Sequence, residues 1–223
     1  MNVSEAVASR RSVRQFTGQP VEREALQRVL TKAQRSPSGG NTQPWNAVIV
    51  TGEELARITA AIKAKTATAP MGDVQEYDIY PKGLDGRYEE QRRGVGKAMF
   101  DALGLARDDG AGRIAQMAKN WDSFGAPVQL FTYTTKYMGP PQWSDMGMWL
   151  QTIMLLLREE GLDSCAQEIW AMYGATMRDL LQIGDDHIFF CGMAIGYRDA
   201  DAPINNFDVP RMDVENVVRW SGF

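Results

Sequence analysis

The sequence predicts one domain built from both helices and strands. Apolar residues recur at helical spacing over 22–35, where Leu26, Val29, Leu30 and Ala33 line one face. Two predominantly apolar runs, "APVQLFTYTT" (126–135) and "HIFFCGMAIGY" (187–197), have the length and composition of buried strands. The 223 residues, 44% hydrophobic and 23% charged, have ordinary globular composition. A chain of this size buries roughly 70–75% of its unfolded surface without covalent staples. One domain is therefore the first expectation and two the second.

A short helix over 3–9 ends at "RRSVRQF". Pro20 and Val21 open the helix over 22–35. Glu22 and Glu24 lie in its first turn, where negative charge suits the dipole, and Pro37 stops it. "NAVIVTG" (46–52) is a short strand, and Glu53 and Glu54 start a helix over 53–64. Residues 65–112 change in character, mixing glycine, proline and charge with Tyr77, Tyr80, Tyr88 and Phe100. A part near 88–103 reads as helix and the rest as irregular; such an excursion is usually a lid or a mobile segment. After the strand at 126–135, Ser144 or Asp145 caps a core helix over 146–160, which Gly161 ends. "LDSCAQEIW" (162–170) is a short strand or turn, 174–182 a short helix, and 187–197 a buried strand. The polar tail closes on a strand-like "ENVVRW" (215–220), and no internal repeat is visible.

Several function classes are excluded by what is missing. Net charge is −4 and the isoelectric point about 5.2, without the basic surface a nucleic-acid binder needs. Cys165 and Cys191 are too few for a disulfide framework and read as reduced thiols of a cytoplasmic protein. The N-terminus "MNVSEAVASRRSVRQF" lacks the apolar core of a signal peptide, and "MGMWLQTIMLLL" is too short to span a bilayer. There is no GxxxxGK[ST] phosphate loop and no GxSxG elbow. "GVGKAM" (94–99) has two glycines of a dinucleotide fingerprint, lacks the third and follows no strand. The single histidine, His187, starts a strand and reads as a structural or surface residue; with two cysteines it makes a poor zinc set, so no metal is expected.

Two stretches carry chemistry. "SRRSVRQF" places Arg10, Arg11 and Arg14 around Ser12, either a solvated basic patch or an anion site offering guanidinium forks and a hydroxyl. "SPSGGNTQPWN" (36–46) concentrates far more backbone freedom and hydrogen-bonding capacity than a connector needs. Pro37 ends the preceding helix, Gly39 and Gly40 permit positive φ and close approach, and Asn41 and Gln43 present amides, while Trp45 reads as packing. The two stretches in this order, followed by "APV" leading a strand, "DMGMWLQ", "GLDSCAQE", "AIGY" and the arginine of "VPR", resemble the FMN-dependent nitroreductase family over nearly the whole chain except 65–112.

That resemblance implies an α+β fold with a central, mostly antiparallel sheet wrapped by helices, in an intertwined homodimer with two FMN molecules at the interface. The C-terminal tail would cross to add a strand to the partner's sheet, a role "VENVVRW" fits. It implies Arg10 and Ser12 as phosphate ligands, Arg11 as a neighbour of the ribityl or phosphate, and Arg14 as a cation at the flavin N1/O2 edge. Pro37, Ser38, Gly39 and Asn41 would reach the flavin of the partner subunit. The backbone of Gln167, Glu168 and Ile169 would face N5 and O4, and Arg211 would be the last phosphate ligand. Two departures stand out: Ile169 where the family often has glycine, and Val209 where a second basic residue is common. The implied activity is NADH- or NADPH-dependent reduction of nitroaromatic or similar small planar, electron-poor acceptors, by ping-pong hydride transfer through flavin N5. No side chain need serve as acid or base. Other flavin reactions on this fold (reductive dehalogenation, enone or quinone reduction, flavin destruction) and a non-catalytic flavin-binding module stay open as alternatives.

Overall fold

The computed structural model describes residues 1–223. Seven α-helices surround one four-stranded sheet: α1 (Val3–Ser9), α2 (Arg23–Ala33), α3 (Gly52–Thr68), α4 (Gly86–Ala102), α5 (Gly110–Ala118), α6 (Pro140–Glu159) and α7 (Gly174–Leu181). The strands are β1 (Asn46–Thr51), β2 (Val128–Thr135), β3 (Asp163–Gln167) and β4 (His187–Gly196), in the order β1-β2-β4-β3. All three pairings are antiparallel. This is the expected α+β arrangement.

Strands β2 and β4 read as mostly apolar runs because both their faces are covered. On one face Val128, Leu130, Cys191, Met193 and Ile195 pack with α2 and the long helix α6. On the other, Val50, Phe131 and Phe189 pack with Ile58 and Ile62 of α3, Trp170, and Met177 of α7. A third, smaller cluster joins Val13 and Phe16 to Phe124, Cys165 and Ala194, fixing the N-terminal extended segment to the sheet. A register shift at Thr132/Tyr133 lets β2 bend between these layers.

Three expectations need correction. Helix α6 begins at Pro140, with Gly139 as its cap, rather than at a Ser144 or Asp145 cap. Its two prolines fit the first turn, where no intrahelical N–H bond is lost. Helix α3 runs on to Thr68, past the predicted end at 64. Helix α5 lies where only irregular chain was expected, its start capped by Asp109 accepting from Gly112 N–H. The strand-like "ENVVRW" pairs with no strand of its own chain. Val214–Asn216 form a 3-10 turn, and Val217, Val218 and Trp220 are exposed. A strand needs a neighbouring edge to bond to, and no edge of this sheet takes up the tail.

The excursion at 65–112 is not uniform. Its first part is pinned down. Asp73 accepts from Thr176 N–H at 2.8 Å, the buried Arg178 pairs with Glu76, and the Tyr77 hydroxyl bonds Phe190 O while its ring meets Trp143 edge-on. Beyond it, α4 buries no residue fully.

Candidate functional site

The basic stretch is extended chain laid along the outer edge of β3. Ser12 bridges Ser164 in parallel, Val13 N–H donates to Ser164 O at 3.0 Å, and Phe16 bridges Arg198. Extended backbone alternates its side chains, so Arg10, Ser12 and Arg14 share one side while Val13 is buried in the core. Three groups hold this register. Asn205, 4% exposed, accepts from Arg14 N–H and donates to Gln15 O and Asp199 O, each at 2.8 Å. Phe16 N–H donates to Phe124 O at 3.1 Å, and this carbonyl is aimed by consecutive left-handed residues, Ser123 (φ 51°) and Phe124 (φ 56°). Arg158 of α6 reaches Ser9 Oγ at 3.4 Å and pairs with the buried Asp163 at 2.8 Å. Burial pushes the Asp163 carboxyl up, opposed by the charges of Arg158 and Arg198.

Two of the three charges of this stretch, those of Arg10 and Arg14, are uncompensated. Ion pairs near it join Arg11 to Asp208 (3.7 Å), Arg158 to Asp163 and Arg198 to Asp163 (3.5 Å). Arg10 and Arg14 have no carboxylate partner, and Arg14 spends one donor on Ser12 O at 3.2 Å. Burial raises the Cys165 thiol, and the fields of Arg14 and Arg10 oppose it, which places both guanidiniums beside β3. Arg11 goes elsewhere: it donates to Phe207 O at 3.1 Å and so ties the start of the tail to this corner. Four residues on, Arg211 is exposed and bonded only to its own backbone, at Val209 O and Pro210 O.

Strand β3 ends at Gln167, and the chain turns into a 3-10 segment, Glu168–Tyr173. The first N–H groups of such a turn have no partner inside it, so Glu168 and Ile169 present backbone donors at the end of the strand the basic stretch follows. Gln167 is buried, its amide donating to Asn120 O at 2.9 Å. Glu168 has no ion-pair partner, and desolvation pushes its carboxyl above the ordinary carboxylate range. The Tyr80 hydroxyl is raised by burial and by Glu168 and lowered by Arg92 and Arg14, and Arg92 lies over its ring at 5.6 Å. Tyr80, with Arg92 of α4 over its ring, therefore stands near the same corner.

The Gly-rich turn lies elsewhere. Gly39 N–H donates to Oδ2 of Asp145, a buried carboxylate of α6, at 3.1 Å. Gln43 N–H donates to Ser38 Oγ, and Pro44 O accepts from the buried Thr134 hydroxyl. The left-handed positions are Gly40, Asn41 and Gln43, and Gly39 is not among them. Trp45 is packing, as expected, stacked on Trp149 at 5.9 Å. Pro37, Gly39 and Asn41 are exposed. This turn precedes β1, while the basic stretch follows β3, the opposite edge of the sheet. Along α6 the two are docked at Asp145 and Arg158. At 1.5 Å per residue those anchors stand about 20 Å apart, so within one chain the two motifs do not meet on one phosphate or one ring edge.

Sequence reading missed the groups that aim these residues. Asp145 looked like a helix cap and is the anchor of the turn. Asn205 sat in a polar tail, where the Asn205-Asn206 pair was the only signal.

A helix-wrapped antiparallel sheet with an uncompensated basic segment along its edge defines an α+β anion- or cofactor-binding domain. The model of the Nitroreductase family matches residues 7–197, and the chain belongs to that family. The 4-nitrobenzoate reductase of Pseudomonas putida is 32% identical over 217 residues, 97% of this chain and 94% of that protein. The crystal structure of the FMN and NADPH-dependent nitroreductase NfnB from Sphigopyxis sp. strain HMH is 54% identical, with a TM-score of 0.98 and 100% of both chains covered. The FMN-dependent nitroreductase NfnB from Mycobacterium smegmatis in complex with NADPH is 27% identical, with a TM-score of 0.92, 98% of this chain and 97% of that one covered.

Proposed function

We propose that this chain is an FMN-dependent oxidoreductase that takes electrons from NADPH or NADH and reduces nitroaromatic or similarly electron-poor acceptors. The observation that carries this is the uncompensated Arg10–Ser12–Arg14 face beside the donor turn at Glu168, in a chain matching an FMN and NADPH-dependent nitroreductase along its full length. The donor set fits the cofactor chemically. Two guanidiniums and a hydroxyl suit a phosphate and an anionic ring edge, and the buried Gln167 Oε1 is an acceptor with no partner.

In this reading Arg10 and Ser12 hold the phosphate. Arg11 orders the tail that carries Arg211 to the same group. Arg14 stands at the N1/O2 edge, where a fixed positive charge favours the form that carries extra negative charge. Backbone N–H groups around Gln167, Glu168 and Ile169 face N5 and O4, so the side chain of Ile169 does not interfere with the donor role. Bound FMN would supply hydride storage between donor and acceptor. The protein's part is orientation and charge, and one site used in turn by both substrates gives ping-pong kinetics.

The separation of the two motifs supports a homodimer in which Pro37, Ser38, Gly39 and Asn41 serve the partner's cofactor. The free edge of β1 and the exposed Val217, Val218 and Trp220 support exchange of the C-terminal strand between copies. Residues 78–112 are the part of the excursion suited to a substrate lid within a single domain, because 69–77 is anchored to α7 and β4. No helix is long and apolar enough to cross a membrane; the two free, buried thiols support a cytoplasmic setting.

The test is the visible spectrum of the purified protein, followed by NADPH and NADH consumption with and without a nitroarene. A flavin spectrum and acceptor-dependent turnover are expected. A colourless protein that does not take up FMN would overturn the reading.

A further inference from the structure

Behind the donor turn lies a group of buried polar side chains of which the cofactor reading uses only Gln167. Gln129 and Trp170 are 0% exposed and Gln167 is 3% exposed. Both polar atoms of the Gln129 amide, the Trp170 indole N–H and Gln167 Oε1 lack hydrogen-bond partners. Buried polar groups of this kind cost about 1–3 kcal/mol each when left unmet, so four in one place call for an explanation.

The sheet register places them together. Gln167 and Phe131 both stand opposite Gly192, and residues directly opposite on antiparallel strands share a face. Gln129, two residues before Phe131, shares it too. A Cβ built on Gly192 would lie 2.4 Å from Gln129 Nε2, 2.7 Å from Trp170 Cδ1 and 3.1 Å from Trp170 Nε1. The glycine leaves the space in which amide and indole approach each other. A glutamine's oxygen and nitrogen exchange places by a half-turn of the terminal torsion without changing the packing. Turned so, Gln129 brings an acceptor toward the indole N–H, the one donor Trp170 has. Edge-on contacts from Trp121 (5.3 Å) and Phe131 (5.1 Å) hold the ring in place.

We propose that Gln129 Oε1 accepts a hydrogen bond from Trp170 Nε1, and that this buried lock sets the orientation of the Glu168–Trp170 turn, making Gln129 a positioning residue for the turn's backbone donors. The proposal rests on the reading that Glu168 and Ile169 face the N5 edge of FMN. Trp170 follows these donors directly, so tilting its ring tilts them. The phosphate anchors Arg10 and Ser12 are on a different segment and do not depend on the lock.

Two variants remove one side each: Gln129→Met, which nearly keeps volume, and Trp170→Phe, which keeps an aromatic ring but is smaller. The first measurement needs no cofactor. By NMR on the protein before FMN is added, the Trp170 indole N–H should exchange with solvent about tenfold faster in Gln129→Met, as expected when a net hydrogen bond of roughly 1.4 kcal/mol is lost. The second is the midpoint potential of the FMN-loaded protein. Both variants should bind FMN nearly as tightly as wild type yet change its balance between oxidised and reduced forms about tenfold, a shift of about 30 mV for a two-electron couple. A purely structural role would lower stability and leave the potential alone. Unchanged indole exchange in Gln129→Met overturns the hydrogen bond. Faster exchange with an unchanged potential in both variants overturns the positioning role. Wild-type protein that exchanges slowly but takes up no FMN overturns the cofactor reading, and with it the role, while leaving the bond itself standing.

Discussion

Replacing Asn205 with alanine probes the link between fold and site most directly. Its side chain makes three hydrogen bonds of 2.8 Å, to Arg14 N–H, Gln15 O and Asp199 O, in a position only 4% exposed. At about 1 kcal/mol net for each bond, Asn205→Ala should cost about 3 kcal/mol, a large share of a typical total of roughly 5–15 kcal/mol. The loss falls on the segment carrying Arg10, Ser12 and Arg14. If half of it appears as disorder of that segment, FMN affinity drops about tenfold, since 1.4 kcal/mol is a factor of ten. Asn205→Asp separates the contributions. A carboxylate still accepts from Arg14 N–H but cannot donate, and it would face the carbonyls of Gln15 and Asp199, so it should do no better than alanine. Urea unfolding without cofactor gives the stability change, read from the midpoint at constant slope; quenching of flavin fluorescence gives the affinity. A stability loss under about 0.5 kcal/mol, the range of ordinary surface substitutions, together with unchanged FMN affinity would refute the reasoning.

Other outcomes follow from the same geometry. Arg14→Ala should lower the FMN two-electron potential by about 40 mV, the equivalent of about 2 kcal/mol for one hydrogen bond to a charged group; spectroelectrochemical titration measures it, and no change would place Arg14 away from N1/O2. Alanine at Tyr80, Tyr88 or Phe100 should change KM for a nitroarene with flavin content intact, whereas Tyr77→Phe should lower stability by about 1 kcal/mol through loss of its bond to Phe190 O; flavin loss across the first three would put this segment in the cofactor cradle. Hydrogen bonds from Arg92 and Arg93 depress the Glu89 carboxyl from 4.5 to about 2. A depressed carboxylate stabilises its helix above the ordinary value and stops doing so as pH falls through the shifted one. Amide exchange in α4 should therefore quicken between about pH 4.5 and pH 2; α4 exchange that does not change with acid, after correction for intrinsic rates, would show that these pairs do not hold the helix.

Much of this protein is legible in its sequence. The runs at 126–135 and 187–197 declared β2 and β4 because a strand covered on both faces is apolar at most of its positions. The face of α2 showed in Leu26, Val29 and Ala33, all buried against the sheet. "SRRSVRQF" and "SPSGGNTQPWN" in order pointed to the family that the whole-chain comparisons bear out. Local patterns carried these readings because burial period and turn chemistry are properties of neighbouring residues. What escaped was set by contacts far along the chain. Pro140 and Pro141 fell outside the helix expected to start from a Ser144 or Asp145 cap, and only their position in the first turn lets them belong to it. The sheet order put the two motifs at opposite edges, which no local spacing reveals. Asn205 holds residues 190 and 191 positions away, and Asp145 holds Gly39 from 106 positions away. Gln129 and Trp170 meet only because Gly192, on a third stretch of chain, leaves room for them. Each of these depends on which strands become neighbours, and that is decided when the whole core closes, not by any one segment's own residues.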